Sequence, residues 1–344
     1  MRKSAIAFLI ALVTVFAVGC NKNKDENAAN PQESAAKVST PLIGVAKVLA
    51  HPALDAVEQG IQDVLAEKGV NVSYDFQNAN GDINTAASIA TKFKADKVDL
   101  MVGIGTPIAV ALANAVSDKP IIFSAITDPV SAHLVETLDH GYKNITGAVD
   151  TIPVKEQLTE FQKIYPFKKL GFIYTSSESN SVSTARDTEA ACKEMGIEFI
   201  PATISNTSEV KQAAESLVGR VDAFYAVNDN ALMAGVNALT ATAEANKIPV
   251  FGANVITFTE GGAVYAMGFD YYNLGRATGE MIIDVLNGKQ PSEIPVLILK
   301  DPKDYEKLVD LDAAANLGLS ISEELVNSAD YVFENGTLKE KNTK

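Results

Sequence analysis

Ile43-Gly44-Val45-Ala46-Lys47-Val48 near the start of the chain and Leu170-Gly171-Phe172-Ile173-Tyr174 near its middle both read as short apolar strands, and the same series of elements follows each. After the first, Leu54, Val57, Ile61, Val64 and Leu65 share one helical face, and Gly69 stops the helix. Val70–Phe76 is a second strand, and Asp82 caps a helix that runs through Phe93. Val98–Val102 is a third strand, Pro107 begins a helix, and Pro120–Phe123 is a fourth strand. After the second copy, a helix from Ser181 to Met195 ends at Gly196, and Ile197–Ile200 is again a strand. Val221-Asp222-Ala223-Phe224-Tyr225 parallels Val98-Asp99-Leu100-Met101-Val102, and Ile248-Pro249-Val250-Phe251-Gly252 parallels Lys119-Pro120-Ile121-Ile122-Phe123. Alternating strands and helices predict parallel sheets with helices on both faces. Four strands recurring at an offset of about 125 residues predict two similar doubly wound α/β lobes.

A length of 344 residues suits two domains. Hydrophobic residues at 47% and charged residues at 21% exclude a disordered polar chain, and a single apolar run approaching spanning length excludes a polytopic membrane protein. A net charge of −14 argues against nucleic acid as a partner, because an acidic surface repels phosphates. Two cysteines and three histidines cannot build a disulfide framework or a zinc cage.

Residues 1–19 read as a secretory signal. Arg2 and Lys3 precede an uncharged stretch from Ala5 to Gly19, which is short of the ~20 apolar residues a membrane span needs. The run ends Phe16-Ala17-Val18-Gly19-Cys20, which resembles a bacterial lipoprotein signal, with Ala17 where Leu is usual. That resemblance implies acylation of Cys20 and attachment to the membrane through this N-terminal lipid alone. Residues 20–40 are polar and small, and read as a flexible tether. The remaining thiol, Cys192, sits in a helical pattern beside Ala190 and Ala191 and is expected to be inert.

Ligands of open parallel sheets sit beyond the carboxyl ends of the strands. Those positions carry Ala50-His51-Pro52, Gly105-Thr106-Pro107, Thr127-Asp128-Pro129, Glu178-Ser179-Asn180-Ser181, Asn228-Asp229-Asn230, Ala253-Asn254 and Phe269-Asp270-Tyr271-Tyr272. Together with Gln77-Asn78-Ala79-Asn80-Gly81-Asp82, Pro153-Val154-Lys155-Glu156-Gln157-Leu158 and Gly268 to Gly275, they resemble the substrate-binding proteins of bacterial ABC importers for tryptophan and related amino acids. The resemblance spans about Pro41 to Ala329 and departs at Asn254, where family members tend to carry an acidic residue. It implies a type I periplasmic-binding-protein fold with a three-crossing hinge, near Gly147–Thr151, Met267–Tyr271 and Gln290–Leu299. It places 41–148 plus 270–288 in the first lobe, 149–269 plus 289–335 in the second, and 336–344 in a tail. It also implies an extracytoplasmic, monomeric receptor that hands an amino acid to a permease served by a separate ATPase.

A zwitterionic ligand needs hydroxyls and helix N–H groups for its carboxylate and a side-chain carboxylate for its ammonium. Thr106, Asn180 and Ser181 suit the first, and Asp128, Asp229 and Asp270 the second; His51, Asn230 and Asn254 complete the polar set. Pro52, Pro107 and Tyr271 could flank an aromatic ring. Each also has a local reading, since Asp and Ser commonly cap helices and Asp-Pro shapes turns. No Gly-x-Ser-x-Gly elbow, His-Glu-x-x-His pair or complete dinucleotide fingerprint occurs, so neither an enzyme nor a cofactor or metal is expected. A nucleoside- or sugar-binding protein of the same fold, or a ligand-sensing lipoprotein for a signalling partner, remains the alternative.

Overall fold

The computed structural model describes residues 40–299 and 304–341. The signal, Cys20 and almost all of the tether lie outside the described residues. The chain builds β1 (Leu42–Lys47), α1 (Pro52–Glu67), β2 (Ser73–Asn78), α2 (Ile83–Ala95), β3 (Leu100–Ile104), α3 (Thr106–Ala115), β4 (Ile121–Ile126) and β5 (Ile145–Val149). It then forms α4 (Val154–Ile164), β6 (Lys169–Thr175), α5 (Ser179–Met195), β7 (Glu198–Ile204), α6 (Val210–Leu217), β8 (Ala223–Ala226), α7 (Asn230–Ala234), α8 (Val236–Ala245), β9 (Val250–Gly252) and β10 (Tyr265–Phe269). The last elements are α9 (Tyr271–Leu286), β11 (Leu297–Ile298), β12 (Tyr305–Asp310), α10 (Leu311–Asn316), α11 (Glu323–Ser328), β13 (Tyr331–Glu334) and β14 (Thr337–Glu340).

Two sheets result. The first, in the order β11-β5-β4-β3-β1-β2, is parallel throughout. The second, β14-β13-β12-β10-β9-β8-β6-β7, is parallel from β10 to β7, while β12 runs antiparallel to β10. Their central strands, such as Leu100–Ile104 and Ala223–Ala226, are buried along their whole length. That is why they read as unbroken apolar runs rather than alternating ones. Each sheet carries its own hydrophobic core, one around Phe93, Phe123 and Phe269 and the other around Phe161, Phe172 and Phe251.

The chain crosses between sheets after β5, after β10 and after β11. Residues 289–298, expected in the second lobe, instead stay with the first. Ile294 and Val296 are buried in its core, Gly141 N–H bonds to the Ile294 carbonyl at 2.9 Å, and β11 pairs with β5. The expected tail from 336 is also different, because Thr337–Glu340 forms an edge strand against β13. Asn335 and Gly336, at φ 54° and 70°, make the tight turn that Asn-Gly favours between paired strands.

Helix α9 returns the chain to the first lobe and packs backbone-to-backbone on α1. A Cβ at Gly60 would overlap the carbonyl of Tyr272, and one at Gly275 would overlap the carbonyl of Val57. Without these two glycines the helices could not approach so closely. Gly275→Ala is therefore expected to destabilise the fold by about 2–3 kcal/mol, although alanine is intrinsically the better helix former by about 1 kcal/mol. Thermal unfolding of the variant tests this; an unchanged or raised melting temperature would contradict the close packing.

Candidate functional site

In a doubly wound sheet a crevice opens where the strand order reverses. In the first lobe that point lies between β1 and β3, whose following residues are His51 at the head of α1 and Thr106 at the head of α3. In the second it lies between β6 and β8, followed by Asn180 in the first turn of α5 and Asn230 in that of α7. These four residues line one small central cavity between the lobes, together with Thr127, Asp150, Asn228, Asn254 and Tyr271.

The helix ends around the cleft are of two kinds, capped and bare. Helices α2, α7, α9, α10 and α11 are capped by Asp82, Asp229, Asp270, Asp310 and Ser322. Helices α1, α3 and α5, with His51, Gly105 and Glu178 at the cap positions, have no side-chain cap, and their first turns border the central cavity. Such an end offers backbone N–H groups and a positive dipole to an anion. Gly105 holds φ 93°, and a Cβ there would strike Val48 and stand 3.5 Å from Asn230 Oδ1 of the facing lobe.

Polar atoms in the cavity wall lack partners. Neither ring nitrogen of the buried His51 has a hydrogen bond, and neither does Asn180 Oδ1. Burial pushes the His51 imidazole down to about 4, so it is neutral at physiological pH and offers one donor and one acceptor. The wall also contains a strained residue. Ala125 sits at φ 54° where the β4–β5 register shifts, a left-handed conformation that is costly for a residue with a Cβ.

A second chamber of about 320 Å³ adjoins the first on the side of the chain crossings and shares Thr127, Asp150 and Asn228 with it. Its walls are largely apolar, with Val130, Leu138, Val149, Ile152, Val227 and Ile298. The buried ring of Tyr225 is fixed by its hydroxyl, which donates to Gln157 Oε1 at 2.5 Å, while Gln157 Nε2 donates to the Met267 carbonyl at 2.7 Å. The bare N-terminus of α4 opens here through Val154.

The residues expected at the site separate into groups. His51, Thr106, Asn180, Asn230, Asn254 and Tyr271 come together in the central cavity. Asp128 lines the hinge-side chamber, where it accepts hydrogen bonds from Ser131 N–H at 2.9 Å and from Ser183 Oγ, across the cleft, at 2.5 Å. Pro107 borders an outer hollow, Pro52 is exposed on the outer face of α1, and Ser181 is buried behind Asn180. Asp229 accepts from Thr175 N–H and Oγ1 and from Leu232 N–H, so its carboxylate serves the second lobe internally. Asp270 accepts from the main chain and side chain of Asn273 and caps α9. Neither of these two carboxylates lines the central cavity or the hinge-side chamber, and their bonds lie within their own lobes, which leaves them no place there for the ammonium role expected of them. Asn254, in place of an acid, donates to Asn228 Oδ1 at 3.0 Å and shapes the cavity wall.

Two buried carboxylates were absent from the expected set. Asp150, directly after β5, lies in the wall common to both cavities. Glu178 accepts from Asn230 Nδ2 at 2.6 Å and from Asn180 Nδ2 at 3.4 Å, and so fixes which way both amides point. The signal for Asp150 was a lone charge ending the apolar run Ile145-Thr146-Gly147-Ala148-Val149. For Glu178 it was an acid at a helix cap position with no role of its own.

Among the described residues, no group of three or more His, Cys, Asp or Glu side chains could hold a metal ion, and no helix is long and apolar enough to cross a membrane. Cys192 is buried, and burial pushes its thiol up to about 11, which disfavours the reactive thiolate.

The sequence model of a family described as ABC transporter substrate binding protein matches residues 42–333. A tyrosine-binding protein of Clostridioides difficile is 35% identical over 95% of this chain and 99% of its own length. Among solved structures, an ABC domain from Streptococcus pneumoniae in complex with L-Trp is 32% identical, with a TM-score of 0.81 over 86% of this chain and all of that one. The ligand-free, open structure of a Clostridium difficile substrate-binding protein with adhesive properties is 35% identical, with a TM-score of 0.63 over 83% of this chain and 97% of that one. A myo-inositol-bound ABC transporter solute-binding protein from Bacillus halodurans shares the fold at 17% identity, with a TM-score of 0.59 over 81% of this chain and 98% of that one.

Burial, reinforced by the nearby Asp229 charge, raises the Glu178 carboxyl from 4.5 to about 7. A carboxyl raised in the folded state lends stability below its unfolded value and loses it as pH rises through the folded one. Glu178→Gln should therefore melt higher than the parent protein at pH 8, with the difference closing by pH 4. Melting curves at both pH values check this, and a gap that is the same at both would contradict it.

Proposed function

Because this chain belongs to the family of ABC transporter substrate-binding proteins, we propose that it captures an aromatic L-amino acid between its lobes and delivers it to a membrane permease. Proteins of this family bind solutes rather than transform them, and they work outside the cytoplasm. Acylation at Cys20 would hold the receptor at the membrane surface within reach of that permease.

The observation that carries the ligand class is the pairing of the two cavities. Three helix ends without side-chain caps, with the unpartnered His51 ring N–H, suit a small anionic group such as an α-carboxylate, while the unpartnered Asn180 Oδ1 is an acceptor for a donor on the same ligand. At about 20 Å³ the central cavity takes little more than one polar group. The side chain must then lie in the apolar hinge-side chamber, whose 320 Å³ is near the lower end of small-ligand sites. A ligand with its head at the waist formed by Thr127, Asp150 and Asn228 and an aromatic ring beside Tyr225 fits both. The names of the tyrosine-binding relative and the L-Trp complex favour the same class.

The chain superposes better on the L-Trp complex than on the open, ligand-free relative, although it shares slightly more sequence with the latter. This supports reading the lobes as closed. The contact of Asp128 with Ser183, braced by Arg186 Nη2 donating to Ser183 Oγ at 2.9 Å, then acts as a latch between the lobes.

Titration of the soluble body with each of the twenty amino acids tests the reading. Tyrosine, tryptophan or phenylalanine is expected to stabilise the protein by ~2.7 kcal/mol at a hundredfold excess over Kd, seen by thermal shift and calorimetry. The protein has no Trp, so tryptophan fluorescence would report the ligand alone. No response to any amino acid would refute the proposal.

A further inference from the structure

We propose that Asp150, on the first chain crossing, receives the ligand's ammonium group and that Tyr271, on the second, holds it in place for that role; the inference rests on the amino-acid reading above. Asp150 directly follows β5 of the first sheet and leads into α4 of the second lobe. It is 4% exposed and stands in the wall shared by the central cavity and the apolar chamber. Its Oδ2 accepts from Tyr271 Oη at 2.7 Å and its Oδ1 from Thr127 Oγ1 at 3.1 Å. A carboxylate has about four acceptor positions, so two remain.

Two neutral donors do not balance a buried anion. Among the described residues, no Lys or Arg lines either cavity, and His51 is neutral. Burial, opposed by the bonds from Tyr271 and Thr127, holds the Asp150 carboxyl above the ordinary carboxylate range. A cation brought by the ligand supplies the missing counter-charge, and its charge-assisted hydrogen bonds fill the remaining positions.

The other acids near the cleft are already engaged, Asp187 on the chamber wall by Arg186 Nε at 3.1 Å. Asp128 has Arg186 at 3.9 Å as well as the Ser131 and Ser183 donors. Glu178 faces the outer hollow and is bonded to two amides. Asp229 and Asp270 cap helices. Among the described residues, only Asp150 combines a buried carboxylate, open acceptor positions and a place in both cavity walls. Because Tyr271 opens α9 just beyond the second crossing, the Asp150–Tyr271 bond ties two hinge segments together, and an ammonium on Asp150 would join that tie.

The test compares L-tyrosine and L-tryptophan with their deaminated analogues, 3-(4-hydroxyphenyl)propanoate and 3-(indol-3-yl)propanoate, by calorimetry. The parent protein is expected to bind the amino acids at least 100-fold more tightly than the analogues. Asp150→Asn is expected to weaken the amino acids about 100-fold and the analogues less than fivefold, collapsing the discrimination. Tyr271→Phe, which keeps the carboxylate, is expected to weaken the amino acids about tenfold with the analogues again spared, and it decides the matter if Asp150→Asn fails to fold. Equal weakening of both ligand classes in these variants would reduce Asp150 to a structural role and overturn the proposal. Equal binding of both classes by the parent protein would also overturn it while leaving the amino-acid reading intact. If the parent protein bound no amino acid, both would fall.

Discussion

The N-terminal ends of α1, α3 and α5 direct their backbone dipoles at one small volume between the lobes, and no side chain caps them. The other helices are capped by Asp or Ser, as α7 and α9 are at this same cavity, or continue from a preceding turn, as α6 and α8 do, and α4, at the adjoining chamber, is bare as well. Three bare ends around one cavity therefore mark a place where hydrogen-bonding capacity is left for something other than the protein. Much else follows from that constraint. Gly105 gives up a side chain because a Cβ there would strike Val48 of its own lobe, Ala125 takes a left-handed conformation where β4 bulges, and Glu178 turns two amides so that Asn180 Oδ1 is left without a partner.

The charges complement the dipoles. Positive helix ends favour an anion, while Asp150, buried without a basic neighbour, favours a cation. A site that asks for both within a few ångströms is matched by a zwitterion better than by a sugar or a nucleoside, whose hydroxyls would leave both fields unanswered. On the proposed reading, the apolar chamber beside it selects the side chain. The glycine-mediated seat of α9 on α1 fixes the second crossing, so Tyr271 meets Asp150 from a rigid base.

Much of this was legible in the sequence. The duplicated strand series gave two lobes because buried parallel strands keep unbroken apolar runs, such as Leu100–Ile104. The positions after β1, β3, β6 and β8 supplied His51, Thr106, Asn180 and Asn230, since topology alone places strand ends at a cleft. What failed was the choice among carboxylates. Asp229 and Asp270 sit where sequence cannot separate a helix cap from a ligand contact, and the hydrogen-bond partners decided for the cap. Asp150 carried only the weak signal of a lone charge ending an apolar run, because its neighbours in space, Thr127 and Tyr271, are 23 and 121 residues away. The placement of 289–298 turned on β11, a strand of two residues too short to give a pattern. The β13–β14 hairpin was missed although its Asn335-Gly336 turn was in plain view.

A crystal structure of the protein grown with L-tyrosine tests the account most directly. The account predicts the amino-acid head at the waist between Thr127, Asp150 and Asn228, with its carboxylate toward the ends of α1, α3 and α5. The ammonium should lie against Asp150 and the ring in the chamber beside Tyr225. A ligand lying elsewhere in the cleft, or reversed so that its carboxylate meets Asp150, would contradict it.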